Sequence, residues 1–375
     1  MRELISITKQ LGFSRGFHGK KLHRDSGGKA LNELIVYGVG LILAFYVAWG
    51  LGANDAANAT SCSIGVGAIS MRKGIALFSI FVAIGAILQG HMVMKTIDRG
   101  IVDFTNATVE MAILAAFTAI LAVCIWVTFC SWKGLPVSTT HSIIGAVIGN
   151  GFATGMWAQG ASLPLFMIAF AVVVSPLIAI GMSQVILKFL TRHYRNMDPK
   201  KAEKSLKRVV VAALCFTAYT FGANDVGNAS GVFVTATTKV FGGVPGDEGT
   251  TMFFLAIFAT IGIAIGAFML GRRVIETTGT KITRLNHVTA SAAEWADVVS
   301  VYGFTTIPKM VLGFGVPVST THASVGAIIG VGIGRGGSGI DRSMVIKILG
   351  TWLITFPVVA LLSIGLYHVF STFVM

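Results

Sequence analysis

Long apolar runs alternate with short polar phrases along this chain. The apolar stretches cover 34–52, 74–94, 111–132, 164–190, 209–223, 251–271 and 344–370. Most approach or exceed the roughly 20 residues a helix needs to cross about 30 Å of hydrocarbon. The pattern predicts helices almost throughout, broken at two kinds of polar phrase. Gly52-Ala53-Asn54-Asp55-Ala56-Ala57-Asn58-Ala59-Thr60 returns as Gly222-Ala223-Asn224-Asp225-Val226-Gly227-Asn228-Ala229-Ser230. Pro136-Val137-Ser138-Thr139-Thr140-His141 returns unchanged as Pro317-Val318-Ser319-Thr320-Thr321-His322.

The order of the phrases is the same in both halves, so the chain is a tandem duplication. The offsets are 170 and 181 residues, which leaves 11 extra residues in the second half, most simply in the turn-rich stretch Gly242 to Gly249. After the hydroxyl phrase, Gly145 and Gly149 recur as Gly326 and Gly330, and small residues four apart let helices approach closely. The organisation reads as a polar basic tail over 1–30, a first transmembrane repeat over 31–190, a hydrophilic basic linker over 191–208 and a second transmembrane repeat over 209–375. The expected fold class is an all-α polytopic membrane protein of two homologous repeats, with broken helices, re-entrant hairpins and about 10–12 membrane segments.

Composition agrees: 54% of residues are hydrophobic and 12% charged, about half the charged share of a soluble domain. The first 30 residues are polar and basic rather than apolar, so no cleavable signal peptide is expected. The net charge of +13 gathers in that tail and between Lys188 and Arg208. Basic clusters flanking apolar helices mark cytoplasmic loops and anionic lipid surfaces, so no nucleic-acid partner is read from them. If tail and linker share one side, the number of crossings between them is even and the repeats are parallel, whereas inverted repeats need an odd number. Hydropathy leaves both open. Cys62, Cys124, Cys130 and Cys215 show no metal-ligand spacing and sit in apolar segments, as small hydrophobes do.

Polar side chains at membrane depth are costly unless they bind something. Asp55 and Asp225 occupy equivalent places at the ends of apolar runs. Asn54, Asn58, Asn224 and Asn228 add carbonyl oxygens beside them, and the small Gly and Ala residues allow the helix to unwind. Oxygen-only ligation at a broken helix suits a hard cation such as Na⁺. Capping a helix end or gluing helices is the plainer role for such residues, but duplication at matching positions favours the cation. In the second phrase Ser138 or Thr139 is a natural N-cap. Three hydroxyls beside the free N–H groups of a helix start can cradle a tetrahedral oxyanion. His141 and His322 are read as structural before proton-carrying. A nucleophilic triad of Ser138, His141 and Asp55 is disfavoured, since one catalytic centre needs no second copy of each phrase and no Gly-x-Ser-x-Gly elbow surrounds Ser138. A duplicated membrane protein with a polar site in each half points to a secondary transporter, not an enzyme.

At these residues the sequence resembles the inorganic phosphate transporter (PiT) family of sodium- or proton-coupled phosphate permeases. Its two signatures match in both halves, and the resemblance covers residues 34–370. It implies inverted-topology repeats, a site at the membrane midplane between them, and a homodimer in the cell membrane. Asp55, Asn58, Asp225 and Asn228 would then hold the coupling cations, with Na⁺ at Asp55 and Asp225. Ser138, Thr139, Thr140, Ser319, Thr320 and Thr321 would surround phosphate. One departure concerns the coupling ion: several sodium-coupled relatives carry a Glu near the position of Val82, and this chain has no acid between Asp55 and Asp98. In the second half the nearest acids are Glu294 and Asp297. Some members of the family carry sulfate. The expected function is cation-coupled symport of phosphate by alternating access, with Na⁺ or H⁺ as coupling ion, a proton-coupled phosphate or sulfate permease as the near alternative and an anion channel as the distant one.

Overall fold

The computed structural model describes residues 26–133, 137–243, 248–271, 275, 285–336 and 342–374. Most of the basic tail, Pro136 and residues 244–247 lie outside them. The first half runs as helix α1 (Ser26–Gly50), a π-helical turn (Leu51–Asp55), α2 (Ala56–Gly65), α3 (Met71–Gln89), α4 (His91–Lys95), α5 (Val109–Trp132), α6 (Thr139–Thr154) and α7 (Ser162–Tyr194). The second half runs as α8 (Pro199–Ser230), a 3₁₀ turn (Gly231–Phe233), α9 (Val234–Val240), α10 (Gly249–Gly266), α11 (His287–Leu312), α12 (Thr320–Gly334) and α13 (Arg342–Val374). Helix α1 starts inside the segment read as a tail. The hydrophilic linker is itself helical at both ends: α7 reaches Tyr194, and α8 starts at Pro199 with Asp198 as its cap, accepting from Lys201 N at 3.1 Å.

Seven of the described helical stretches are long and apolar enough to cross a membrane, and α12 is a shorter apolar one. Large apolar side chains face outward on them, among them Ile42, Phe166, Leu353 and Leu361. Carboxylates, amides and hydroxyls are buried instead, the reverse of a water-soluble surface. The protein is an all-helical, multi-pass membrane protein.

Each half packs on the other in a reciprocal way. Helix α6 lies against α13 and α12 against α7, while α3 lies against α8 and α10 against α1. Glycines permit the closest crossings. A Cβ on Gly52 would fall on the carbonyl of Ile263, and one on Gly266 on the carbonyl of Trp49. The same relation holds between Gly222 and the carbonyl of Val82, and between Gly85 and that of Tyr219. In both crossings the struck carbonyl lies three residues before the partner glycine. Gly145 and Gly149 sit on the backbone of Phe356 and Ala360; Gly326 and Gly330 sit on Pro176 and Ile180, the close approach expected of glycines four apart. Val82 is therefore buried, with its backbone against Gly222 of the second Asn-Asp phrase.

Proline shapes the long helices locally. Pro176 cannot donate to the carbonyl of Val172 four residues earlier, and His322 Nδ1 lies 3.4 Å from that oxygen. Elsewhere Asp98 accepts from Thr235 N at 2.8 Å and from Thr235 Oγ1 at 2.9 Å, and Arg99 bridges Asp98 and Glu248.

Candidate functional site

The four duplicated phrases meet. Both hydroxyl phrases open helices, as their sequence predicts: Ser138 caps α6 by accepting from His141 N at 3.2 Å, and Ser319 caps α12 by accepting from His322 N at 3.2 Å. Thr139 and Thr320 then turn toward the carboxylate of their own half. Thr139 Oγ1 donates to Asp55 Oδ2 at 3.3 Å, and Thr320 Oγ1 to Asp225 Oδ1 at 3.5 Å.

The next residue crosses to the other half. Asn58 Nδ2 donates to Thr321 Oγ1 at 3.1 Å, and Asn228 Nδ2 donates to Thr140 Oγ1 at 2.9 Å. Each carboxylate thus accepts a hydroxyl of its own repeat, and the second Asn of each phrase reaches a hydroxyl of the other repeat. The polar centre of the molecule is knitted from both halves, with Ser138, Thr139, Thr140, Ser319, Thr320, Thr321, Asp55 and Asp225 all buried.

The two Asn-Asp phrases differ in detail. The first breaks as expected, through the π turn that ends at Asp55. The second does not break: α8 runs through it to Ser230, and irregularity begins only at Gly231. Side chains stitch that stretch along its own axis and to α12's approach. Asn228 Nδ2 donates to Asp225 Oδ1 at 2.9 Å and Asn224 Nδ2 to Asp225 Oδ2 at 3.2 Å. Asn224 also exchanges two bonds with the Val318 backbone, donating to its carbonyl at 2.6 Å and accepting from its N–H at 3.0 Å. Asn54 is half-buried, and its side chain makes no hydrogen bond among the described residues. The two Asn-Asp carboxylates are near enough for the charge of Asp55 to act on Asp225. Among the described residues no Lys or Arg forms an ion pair with either.

His141 and His322 stack edge to face, with ring centroids 4.2 Å apart, between Phe356 and Trp352. Asp55 bonds Thr139 rather than His141, so the triad considered for an enzyme is not assembled. Val318 was invisible to sequence reasoning, because it contributes through its backbone. Among the described residues Asn228 Oδ1 is buried without a hydrogen-bond donor, beside Asp225. Oxygen atoms from carboxylates, amides and hydroxyls form a donor set suited to a hard cation on one side and an oxyanion on the other.

A membrane-embedded helical bundle with such a centre between duplicated halves is a transporter rather than an enzyme. The chain belongs to the phosphate transporter family, whose profile matches residues 51–363. It is 30% identical to a candidate phosphate permease of Pyrococcus abyssi over 88% of this chain and 96% of that one. It is 26% identical to the chloroplastic inorganic phosphate transporter 2-1 of Arabidopsis thaliana, over 92% of this chain and 74% of that one. A solved structure described as the sodium-dependent phosphate transporter superposes with a TM-score of 0.79 at 26% identity, covering 90% of this chain and 99% of the other.

Proposed function

We propose that this protein imports inorganic phosphate across the cell membrane by symport with Na⁺. The cycle is one of alternating access between two inverted repeats, and the working assembly is a homodimer on the family resemblance. Phosphate is held by the hydroxyls of Ser138, Thr139, Thr140, Ser319, Thr320 and Thr321 at the starts of α6 and α12. Na⁺ is held by Asp55 with Asn54 and Asn58, and by Asp225 with Asn224 and Asn228.

The observation that carries this reading is the interlacing of the phrases around two carboxylates that have no basic partner among the described residues. Hydrogenphosphate beside ionised Asp55 and Asp225 would gather about four negative charges, and each unit pair 4 Å apart repels by about 4 kcal/mol at an effective dielectric near 20. Cations must bind for the anion to bind, which is the requirement for symport. The bonds Asn58–Thr321 and Asn228–Thr140 join cation and anion positions across the two halves, so movement of one repeat past the other has to remake both sites together. The likeness to a solved transporter described as sodium-dependent supports Na⁺ as the coupling ion.

Radiolabelled phosphate uptake into proteoliposomes, under a Na⁺ gradient and then under a proton gradient of equal size, tests the proposal. Uptake under Na⁺ alone is expected, with loss of at least about a hundredfold, equivalent to ~2.7 kcal/mol, in Asp55→Asn and Asp225→Asn variants that still reach the membrane. Uptake driven only by protons would recast both Asp residues as proton carriers. Normal transport by the variants would remove them from the site. Sulfate uptake in place of phosphate would overturn the substrate, and unsaturable flux without a cation gradient would make the protein a channel.

A further inference from the structure

Away from the four phrases, the ends of α7, α11 and α12 leave an open cavity of about 880 Å³ between them. Lys188, Arg192 and Arg195 line it from the end of α7 and Arg335 from the end of α12, and the residues described around it include no Asp or Glu. Lys188, Arg192 and Arg195 follow one another at spacings of four and three, which puts them on one helix face. None of these three forms an ion pair among the described residues. Asn286 caps α11 at the same opening, where the first turn of that helix adds partial positive charge.

The cavity lies where the outward surface changes character. Val185 stands one turn before Lys188, Phe189 beside it and Ile333 two residues before Arg335, and all three are exposed apolar side chains. Hydrocarbon-facing surface thus gives way to positive charge within about two helical turns. A soluble anion needs only the second part. A phospholipid uses both, laying acyl chains on the apolar face and its phosphate in the basic opening.

The other repeat shows that the fold does not require these charges. Helices α6 and α13 pack together as α12 and α7 do. The 181-residue offset that aligns the hydroxyl phrases also aligns Pro176 with Pro357. It places Val369 and Phe373 opposite Lys188 and Arg192, and Thr154 opposite Arg335. Val369 and Phe373 are exposed, so the same face of the counterpart helix is plain hydrocarbon surface. One end of a duplicated architecture has gained a basic opening that packing does not call for.

We propose that this cavity binds the head group of an anionic phospholipid, with Lys188, Arg192 and Arg335 around its phosphate and the acyl chains along Val185 and Phe189. Net charge selects the lipid, because a zwitterionic head group brings its own cation to a site already crowded with cations. The bound lipid ties together the ends of three helices, including α12, which starts at the second hydroxyl phrase.

Native mass spectrometry of the purified full chain, titrated in detergent with dioctanoyl-phosphatidylglycerol, counts the lipids bound. One tightly held phosphatidylglycerol per chain is expected, with dioctanoyl-phosphatidylcholine at least about tenfold weaker. The combined variant Lys188→Gln, Arg192→Gln, Arg335→Gln should weaken phosphatidylglycerol by about a hundredfold. All three side chains are exposed, so the fold should survive, read as an unchanged size-exclusion peak. A matched variant, Lys200→Gln, Lys201→Gln, Lys204→Gln, removes as much charge from the neighbouring start of α8 and should stay within about threefold of the unchanged protein. Equal weakening by the two variants would reduce the effect to general surface charge and overturn the pocket. Equal binding of both lipids would do the same. Displacement of the bound lipid by added inorganic phosphate would reassign the opening to the free anion and overturn the lipid.

Discussion

The two Asn-Asp phrases share Gly, Ala, Asn, Asp and a second Asn in the same order, yet they are held differently. In the second, Asn224 and Asn228 are fully buried, Asp225 receives three side-chain donors, and Val318 is pinned from both its N–H and its carbonyl. In the first, Asn54 and Asn58 are half-buried, Asp55 receives one hydroxyl, and the backbone relaxes into a π turn. Repetition of sequence has preserved ligand identity without preserving rigidity. The second phrase is the more fully bonded, with only Asn228 Oδ1 left over among the described residues, and the first keeps Asn54 unbonded beside a π-helical turn, the kind of local irregularity that recurs at functional sites. Symmetric scaffolding with unequal sites suits a cycle in which one ion binds firmly and another comes and goes.

The largest effects should appear where the halves are equal, at the glycine crossings. Gly52→Leu and Gly222→Leu each drive a side chain into a backbone carbonyl of the opposite repeat, at Ile263 and at Val82. Overpacking that only a shift of whole helices can relieve is expected to cost about 3 kcal/mol or more. Both variants should lose the monodisperse peak in detergent size-exclusion chromatography. Gly50→Ala, where a Cβ meets nothing within 4 Å, should be neutral or stabilising by up to about 1 kcal/mol. Tolerance of Gly52→Leu alone would show that the inequality of the sites extends into the helix packing.

That equality was legible in the sequence, and the inequality was not. Helical spans, the duplication and the N-caps at Ser138 and Ser319 follow from apolar run length, repeated phrases and the free N–H groups of a helix start. The candidate ligands followed too, because a carboxylate or amide in an apolar run demands a partner. Which partner it finds depends on contacts between residues hundreds of positions apart, such as Asn58 with Thr321, and on backbone groups such as those of Val318, whose side chain gives no signal. The expectation of a broken helix at both phrases held only for the first. Local composition permits unwinding in each, but Asn228 bonding back to Asp225 along the helix stabilises the second. Glu294 and Asp297 could be read only as nearby acids, since Ser63, which bonds one of them, is 231 positions away.

The inequality can be sharpened with the first Asn of each phrase. Asn224→Ala leaves the buried Val318 N–H without its acceptor, while the Val318 carbonyl keeps the Thr140 hydroxyl at 3.2 Å. The expected loss is about 2 kcal/mol, visible as a lower thermal midpoint of the purified protein. Asn54→Ala breaks no described hydrogen bond and should change stability by less than about 0.5 kcal/mol. It should instead raise the Na⁺ concentration for half-maximal phosphate uptake. Equal destabilisation by the two substitutions would mean that the first phrase forms the same lock as the second.

The smallest effect discriminates best between a static joint and a working one. Asn58–Thr321 and Asn228–Thr140 are the hydrogen bonds that couple cation phrase to hydroxyl phrase across the repeats. Double-mutant cycles with Asn→Ala and Thr→Val should give coupling energies of about 1 kcal/mol or less. The larger belongs to Asn228–Thr140, the shorter bond in the more buried setting. If the bonds only brace the structure, breaking them lowers thermal stability and leaves the dependence of uptake on Na⁺ unaltered. If they are remade in each cycle, Thr321→Val should also weaken the dependence of phosphate affinity on Na⁺, because the group that senses the first ion no longer touches the group that holds the anion. Measuring phosphate affinity at low and high Na⁺ separates these outcomes. An Na⁺ dependence unchanged in both Thr variants would assign the crossing bonds to architecture and leave coupling to the charges of Asp55 and Asp225 alone.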